Sequence, residues 1–257
     1  MAEPLNMDRN YKVIIFSDSR GRNLARLLNR IEDSTIDISY EVHVLPGATL
    51  DLIHKKIERS SRRYSWDLCI IIAGICDLTV RVVTRTHRYL EYTNRRLIET
   101  KSIINQILDS QEKTHISTIT PALLSKYSSH RNNDPTIEDE QKNLMDDIED
   151  INRHIISRSI QRDVPTINLA KLSYDLSLKK QGNKHKRITK FSDKNLPDGI
   201  HPSIKLEEQW AKYISKQTEA ILIKQASQQQ LTESTEDETD DDDSNWNFKR
   251  QKTEECG

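Results

Sequence analysis

Residues 11–31, YKVIIFSDSRGRNLARLLNRI, set a pattern that the rest of the chain repeats. Residues 11–16 form a short apolar run rich in β-branched side chains. It breaks at Ser17, Asp18 and Ser19, and Leu24, Leu27, Leu28 and Ile31 then recur at helical spacing. That order reads as strand, turn and helix. Working outward, residues 40–45 alternate weakly and stop at Pro46-Gly47, after which Leu50, Ile53, His54 and Ile57 restore the helical spacing. Residues 66–73, WDLCIIIA, are the most continuous apolar run and end at Gly74. They are too short for a buried helix, so they predict a central strand covered on both faces.

The remaining segments extend the alternation. Periodicity predicts a helix over residues 89–108, a fourth strand over 115–120 halted by Pro121, a helix over 136–162 and a fifth strand over 164–169. Residues 170–196 are poorly periodic, and a last amphipathic helix covers about 205–223. Strands alternating with helices favour a five-stranded parallel sheet with helices on both faces, and no repeat of 20–50 residues suggests a solenoid. The organisation expected is an N-terminal arm over residues 1–10, one α/β domain over 11–227 and an acidic, disordered tail over 228–257.

Composition excludes several classes. The 257 residues include 39 Lys plus Arg, 40 Asp plus Glu and three Cys, with 35% apolar and 5% aromatic side chains. The longest apolar run, residues 68–74, is far short of the ~20 residues a bilayer requires, and residues 1–10 have neither a basic flank nor an apolar signal core. Cys69, Cys76 and Cys256 suggest no disulfide framework. These features predict an intracellular protein, cytoplasmic or nuclear, with no membrane partner. The net charge of -1 is divided: residues 232–257 carry ten acidic against three basic side chains, a net of -7, which leaves +6 on the rest. A solubilising tail fits this division, and so does one that folds back on the basic body or competes with an anionic partner.

In open parallel sheets ligands sit beyond the carboxyl ends of the strands. Those ends hold Ser17-Asp18-Ser19, Pro46-Gly47-Ala48-Thr49 and Gly74-Ile75-Cys76-Asp77, and beyond the fifth strand comes Leu196-Pro197-Asp198-Gly199-Ile200-His201-Pro202. A serine hydroxyl becomes a useful nucleophile when an imidazole takes its proton and a carboxylate fixes the tautomer of that imidazole. Ser19, His201 and Asp198 could supply these three functions. Backbone N–H groups at Ser19 and Gly47 could face the developing oxyanion of an acyl transfer.

These four blocks resemble the SGNH or GDSL-type hydrolases, a family of esterases, lipases and acetyl-hydrolases. The resemblance covers residues 11–223 and implies a three-layer, flavodoxin-like α/β fold. Ser17-Asp18-Ser19 matches the last two positions of the family's Gly-Asp-Ser, and Gly47 matches the glycine of its second block. Gly74 and Asp77 match Gly-x-Asn-Asp, and Asp198 and His201 match Asp-x-x-His. The resemblance implies a cofactor-free serine esterase acting on a small acyl or acetyl ester, with Ser19, Asp198 and His201 as catalytic triad. It implies an oxyanion hole of Ser19, Gly47 and the residue at position 76. The body is also similar to SGNH-like regions of some invertebrate mobile-element proteins.

Two positions depart from the family pattern. Ser17 replaces its first glycine. Cys76 replaces an asparagine whose amide would donate to the oxyanion, and a thiol is a poor donor. A slow enzyme, a relocated donor and a retired site that binds RNA or DNA all remain open. The last reading rests on two basic groups near the same edge, namely Arg81, Arg85, Arg88, Arg95 and Arg96, and the lysines between 179 and 190. The other seven histidines lack metal-ligand spacing. Oligomeric state is not legible.

Overall fold

The computed structural model describes residues 9–32, 34–93, 96–128, 136–181, 184–191 and 193–236. In chain order the elements are β1 (Tyr11–Ser17), α1 (Leu24–Leu28), β2 (Ile38–Val44), α2 (Leu50–Ser61), β3 (Leu68–Ile72), α3 (Ile75–Leu78), β4 (Thr79–Val83) and β5 (Arg88–Tyr92). They continue with α4 (Leu97–Ser110), β6 (Thr114–Ile116), α5 (Leu124–Tyr127), α6 (Ile137–Gln161), β7 (Tyr174–Gln181), β8 (Lys184–Phe191) and α7 (Ile204–Glu236). The central sheet has the order β2-β1-β3-β6, and every pairing in it is parallel.

The two inner strands explain the layers. Along β1 and β3, alternate side chains enter opposite cores, so both faces must be apolar. Ile14, Phe16, Cys69 and Ile71 join α2, α4 and α6 through Ile53, Ile57, Ile104, Ile107, Leu144 and Ile148. Val13, Ile15, Leu68, Ile70 and Ile72 pack with α1 and α7 through Leu24, Leu28, Trp210 and Ile214. The result is the expected α/β three-layer arrangement.

Local chemistry sets the helix ends. Thr49 caps α2 by accepting from the Leu52 N–H at 3.4 Å, and Asp51 and Lys55 pair one turn apart at 2.7 Å. The longest helix on that face, α6, begins with Glu138, Asp139 and Glu140, which favour the positive end of its dipole. At its other end the N–H groups of Asp163 and Val164 return to the carbonyls of Ile160 and Ser159, both at 3.0 Å, closing a Schellman turn.

Three expectations are corrected. The sheet has four hydrogen-bonded strands, not five. Residues 164–169 meet the segment just past β6 through only one sheet-like backbone bond, from the Thr118 N–H to the Ile167 carbonyl at 3.0 Å. Pro165 has no N–H to offer, and the Thr118 side chain replaces the ladder by bonding Asn168 at 3.0 Å and Ala170 N–H at 2.9 Å. The helix expected over 89–108 starts only at Leu97. Its first part is β5, which forms an antiparallel hairpin with β4. The unpatterned stretch from 170 contains the β7–β8 hairpin. Helix α7 runs past Gln228 to Glu236, while residues 1–8 of the arm and 237–257 of the tail lie outside the described residues. No helix among the described residues is long and apolar enough to cross a membrane.

Candidate active site

The carboxyl ends of β1, β2 and β3 are tied together by backbone bonds. Leu45 N–H donates to the Ser17 carbonyl at 2.7 Å, and Asp18 N–H donates to the Ile72 carbonyl at 3.2 Å. Ser17 adds its own hydroxyl bond to the Ile72 carbonyl at 3.1 Å. Its side chain is tolerated because residue 21 is glycine: a Cβ there would lie 2.4 Å from the Ser17 hydroxyl oxygen. Ser17, where the resemblance expects glycine, is therefore accommodated by a second glycine four residues on.

Ser19 opens a single 3₁₀ turn, capped by Asp18, whose carboxylate accepts from the Arg20 N–H at 2.9 Å. Asp18 and Arg20 are both buried, and their side chains form an ion pair at 2.9 Å. The guanidinium also donates to the carbonyl and hydroxyl of Thr120 at 3.1 and 2.7 Å. A buried charge pair is tolerated when its remaining donors and acceptors are bonded, as here. The turn that carries Ser19 is thus clamped from below to the segment following β6.

The second half of the site comes from the loop before α7. His201 Nε2 lies 2.9 Å from Ser19 Oγ, and His201 Nδ1 lies 2.5 Å from Asp198 Oδ2. The other Asp198 oxygen accepts from the N–H groups of Ile200 and His201 at 3.0 and 2.7 Å. Burial pushes the Asp198 carboxyl up, but these bonds and the neighbouring imidazole outweigh it and hold the group below its ordinary value. Gly199, at φ +88°, lets this loop pass against the chain: a Cβ would meet the Leu123 carbonyl at 2.5 Å and the Tyr127 nitrogen at 2.8 Å. Its own carbonyl accepts from Leu123 N–H at 2.7 Å. Glu207, buried in the first turn of α7, accepts from the Asn23 side chain at 2.6 Å and joins this half to the start of α1.

Gly47 sits in the turn after β2, which Ala48 N–H closes onto the Leu45 carbonyl at 3.0 Å. Cys76 follows β3 in α3 and is half-buried. Burial, with the Asp18 and Asp77 carboxylates adding and Arg20 opposing, pushes its thiol up to about 12. Position 76 therefore presents a neutral thiol. Next to it, buried Asp77 accepts from Leu50 N–H, the first of α2, at 3.1 and 3.0 Å. Burial raises this carboxyl to about 7, against the Leu50 bond and the Arg96 charge, with Asp18 and Asp51 adding to the rise.

The sequence reading missed Arg20 as a supporting residue. Its signal was an arginine directly after Ser19, at a strand end expected to be covered, with Asp18 two positions away. Arg81, Arg85 and Arg96 are exposed, whereas the side chains of Arg88, Arg95 and the lysines between 179 and 190 lie outside the described residues. Among the described residues no three His, Cys, Asp or Glu side chains converge as a metal site would require.

No protein-family model and no curated protein matches the chain by sequence. Solved structures do match its fold. A GDSL-like lipase of Bacteroides thetaiotaomicron superposes with a TM-score of 0.55 at 14% identity, over 87% of this chain and 92% of the other. A lipase/acylhydrolase of Enterococcus faecalis gives 0.53 at 16% identity, over 82% and 96%. A member of the lipolytic G-D-S-L family from Veillonella parvula gives 0.51 at 10% identity, over 81% and 97%. The three-layer arrangement around a parallel sheet is therefore the fold of the SGNH/GDSL-type hydrolases.

Proposed function

We propose that the chain is a serine hydrolase of carboxylic esters with a small acyl group, such as acetyl. The carrying observation is the continuous hydrogen-bonded line from Ser19 Oγ through the His201 ring to Asp198, at 2.9 and 2.5 Å. His201 Nε2 accepts the Ser19 proton as Oγ attacks the carbonyl carbon, and the resulting imidazolium delivers that proton to the leaving alcohol. Asp198 keeps Nδ1 protonated and so leaves Nε2 free to act as the base. Water, deprotonated by the same Nε2, then releases the acyl group and regenerates Ser19.

The oxyanion would meet the backbone N–H groups of Ser19 and Gly47. Cys76 offers a weak third donor, and losing one good donor lowers turnover by about 100- to 1,000-fold. The reading is therefore of a slow esterase. Hydrolysis of p-nitrophenyl acetate, butyrate and octanoate by the wild type and Ser19→Ala tests it. The expected result is Ser19-dependent turnover that falls with acyl length. Equal rates for the two proteins would remove the proposal.

A further inference from the structure

We infer that a groove beside edge strand β2, at the end of the sheet opposite Ser19, binds single-stranded nucleic acid. The groove has a volume of about 1070 Å³ and lies between the C-terminal half of α2 and the face of β2 carrying Ser39, Glu41 and His43. Lys12, Lys56, Arg59, Arg62 and Arg63 line it, and all five are exposed. None has an ion-pair or side-chain hydrogen-bond partner among the described residues. Elsewhere on the same helix, by contrast, Lys55 is paired with Asp51. The acidic group lining the groove, Glu41, has one carboxylate oxygen 2.8 Å from His43 Nε2. Three cations near the end of α2 suit the negative end of its dipole, but Lys12 comes from β1 and has no such reason to be there.

Aromatic rings complete the surface. Tyr64 is 68% exposed between Arg63 and Ser65, an unusual setting for a large ring, and half-buried Trp66 lies two residues away. On the floor, His43 stacks on Phe16 at 5.1 Å between ring centroids. A cationic track with accessible aromatic faces is the arrangement that holds a phosphodiester backbone while bases stack. The concavity disfavours a bilayer, which stays flat, and a rigid duplex would touch only the rim. The polar floor of Ser39 and Glu41 offers nothing to an acyl chain. This inference is independent of ester hydrolysis and of the arginines on β4 and β5.

Fluorescence anisotropy of the full chain with labelled dT20 is the test. Four or five neutralised phosphates predict a slope of log affinity against log salt of about -3, hence roughly 60-fold weaker binding at 200 than at 50 mM salt. Replacing Arg59, Arg62 and Arg63 together by Ala should lower affinity at least tenfold at 50 mM salt and reduce the slope by about 2, with an unchanged circular dichroism spectrum. Tyr64→Ala should cost about tenfold with the slope preserved, since stacking releases no counterions. Ser19→Ala should bind as the wild type does. The inference is overturned by no binding at 50 mM salt, or by a triple variant that binds normally. Tighter binding to a 20-base-pair duplex, or binding to phosphatidylserine vesicles but not to dT20, would overturn it as well.

Discussion

The two halves of the candidate site are built differently. Ser19 stands on a turn whose neighbours, Asp18 and Arg20, are buried and bonded to each other and to Thr120. Asp198 and His201 stand on a loop at the surface, their side chains 49% and 25% exposed, shaped by short-range bonds and by one glycine against a backbone. The nucleophile is held by the core and its base by the local chain. Damage to the first half should therefore appear as lost stability, and damage to the second as lost activity in a folded protein.

Asp198→Asn should separate the halves most sharply. The amide weakens control of the His201 tautomer, so esterase activity should fall roughly 10⁴-fold while the melting temperature barely changes. Parallel loss of stability would mean that the loop is part of the core after all. Arg20→Met should do the reverse. It leaves the Asp18 carboxylate buried without its partner, at a cost of about 3–5 kcal/mol in urea unfolding. Adding Asp18→Asn should recover part of that loss, and no recovery would refute the clamp.

Smaller effects sharpen the same contrast. Gly199→Ala is the exception within the second half: this buried glycine is where the loop touches the rest of the chain, so a side chain forced onto the Leu123 carbonyl should cost roughly 2–3 kcal/mol together with activity. Cys76→Asn should raise turnover about 10- to 100-fold by restoring an oxyanion donor, and an unchanged rate would show that no donor is missing there.

The buried Asp77 gives the mildest effect. Its carboxyl rises to about 7 on folding, above an unfolded value of 3.8, so the folded state binds the extra proton between these values. Stability from this group is full below about pH 4 and is lost as pH rises through 7. His115, buried and lowered to about 3, acts in the opposite direction over part of that window. The comparison is therefore wild type against Asp77→Asn, in which His115 cancels. The Asn variant should gain on the order of 1–2 kcal/mol relative to wild type between pH 6 and 8. A constant difference across that range would contradict the account.

Legibility followed the range of the interactions. The inner strands were readable because burial on both faces leaves an unbroken apolar run at residues 13–16 of β1 and throughout β3. The fifth strand was not, since an apolar segment with one proline looks like an edge strand until its ladder bonds are counted. Nor was β5, whose Tyr89, Leu90 and Tyr92 merge with the periodicity of α4. Ser19, Asp198 and His201 were named from short blocks at successive strand ends, and they lie within hydrogen-bonding distance across 182 positions of sequence. Arg20 was overlooked for the opposite reason. Nothing nearby in the chain announces Thr120, 100 residues away, which completes its bonding.

Labelling with a fluorophosphonate probe, with the modified residue mapped by mass spectrometry, tests the central claim most directly. The account predicts one adduct, on Ser19, formed by the wild type and lost on His201→Ala. A folded wild-type protein that stays unlabelled, or an adduct on any other residue, would contradict it.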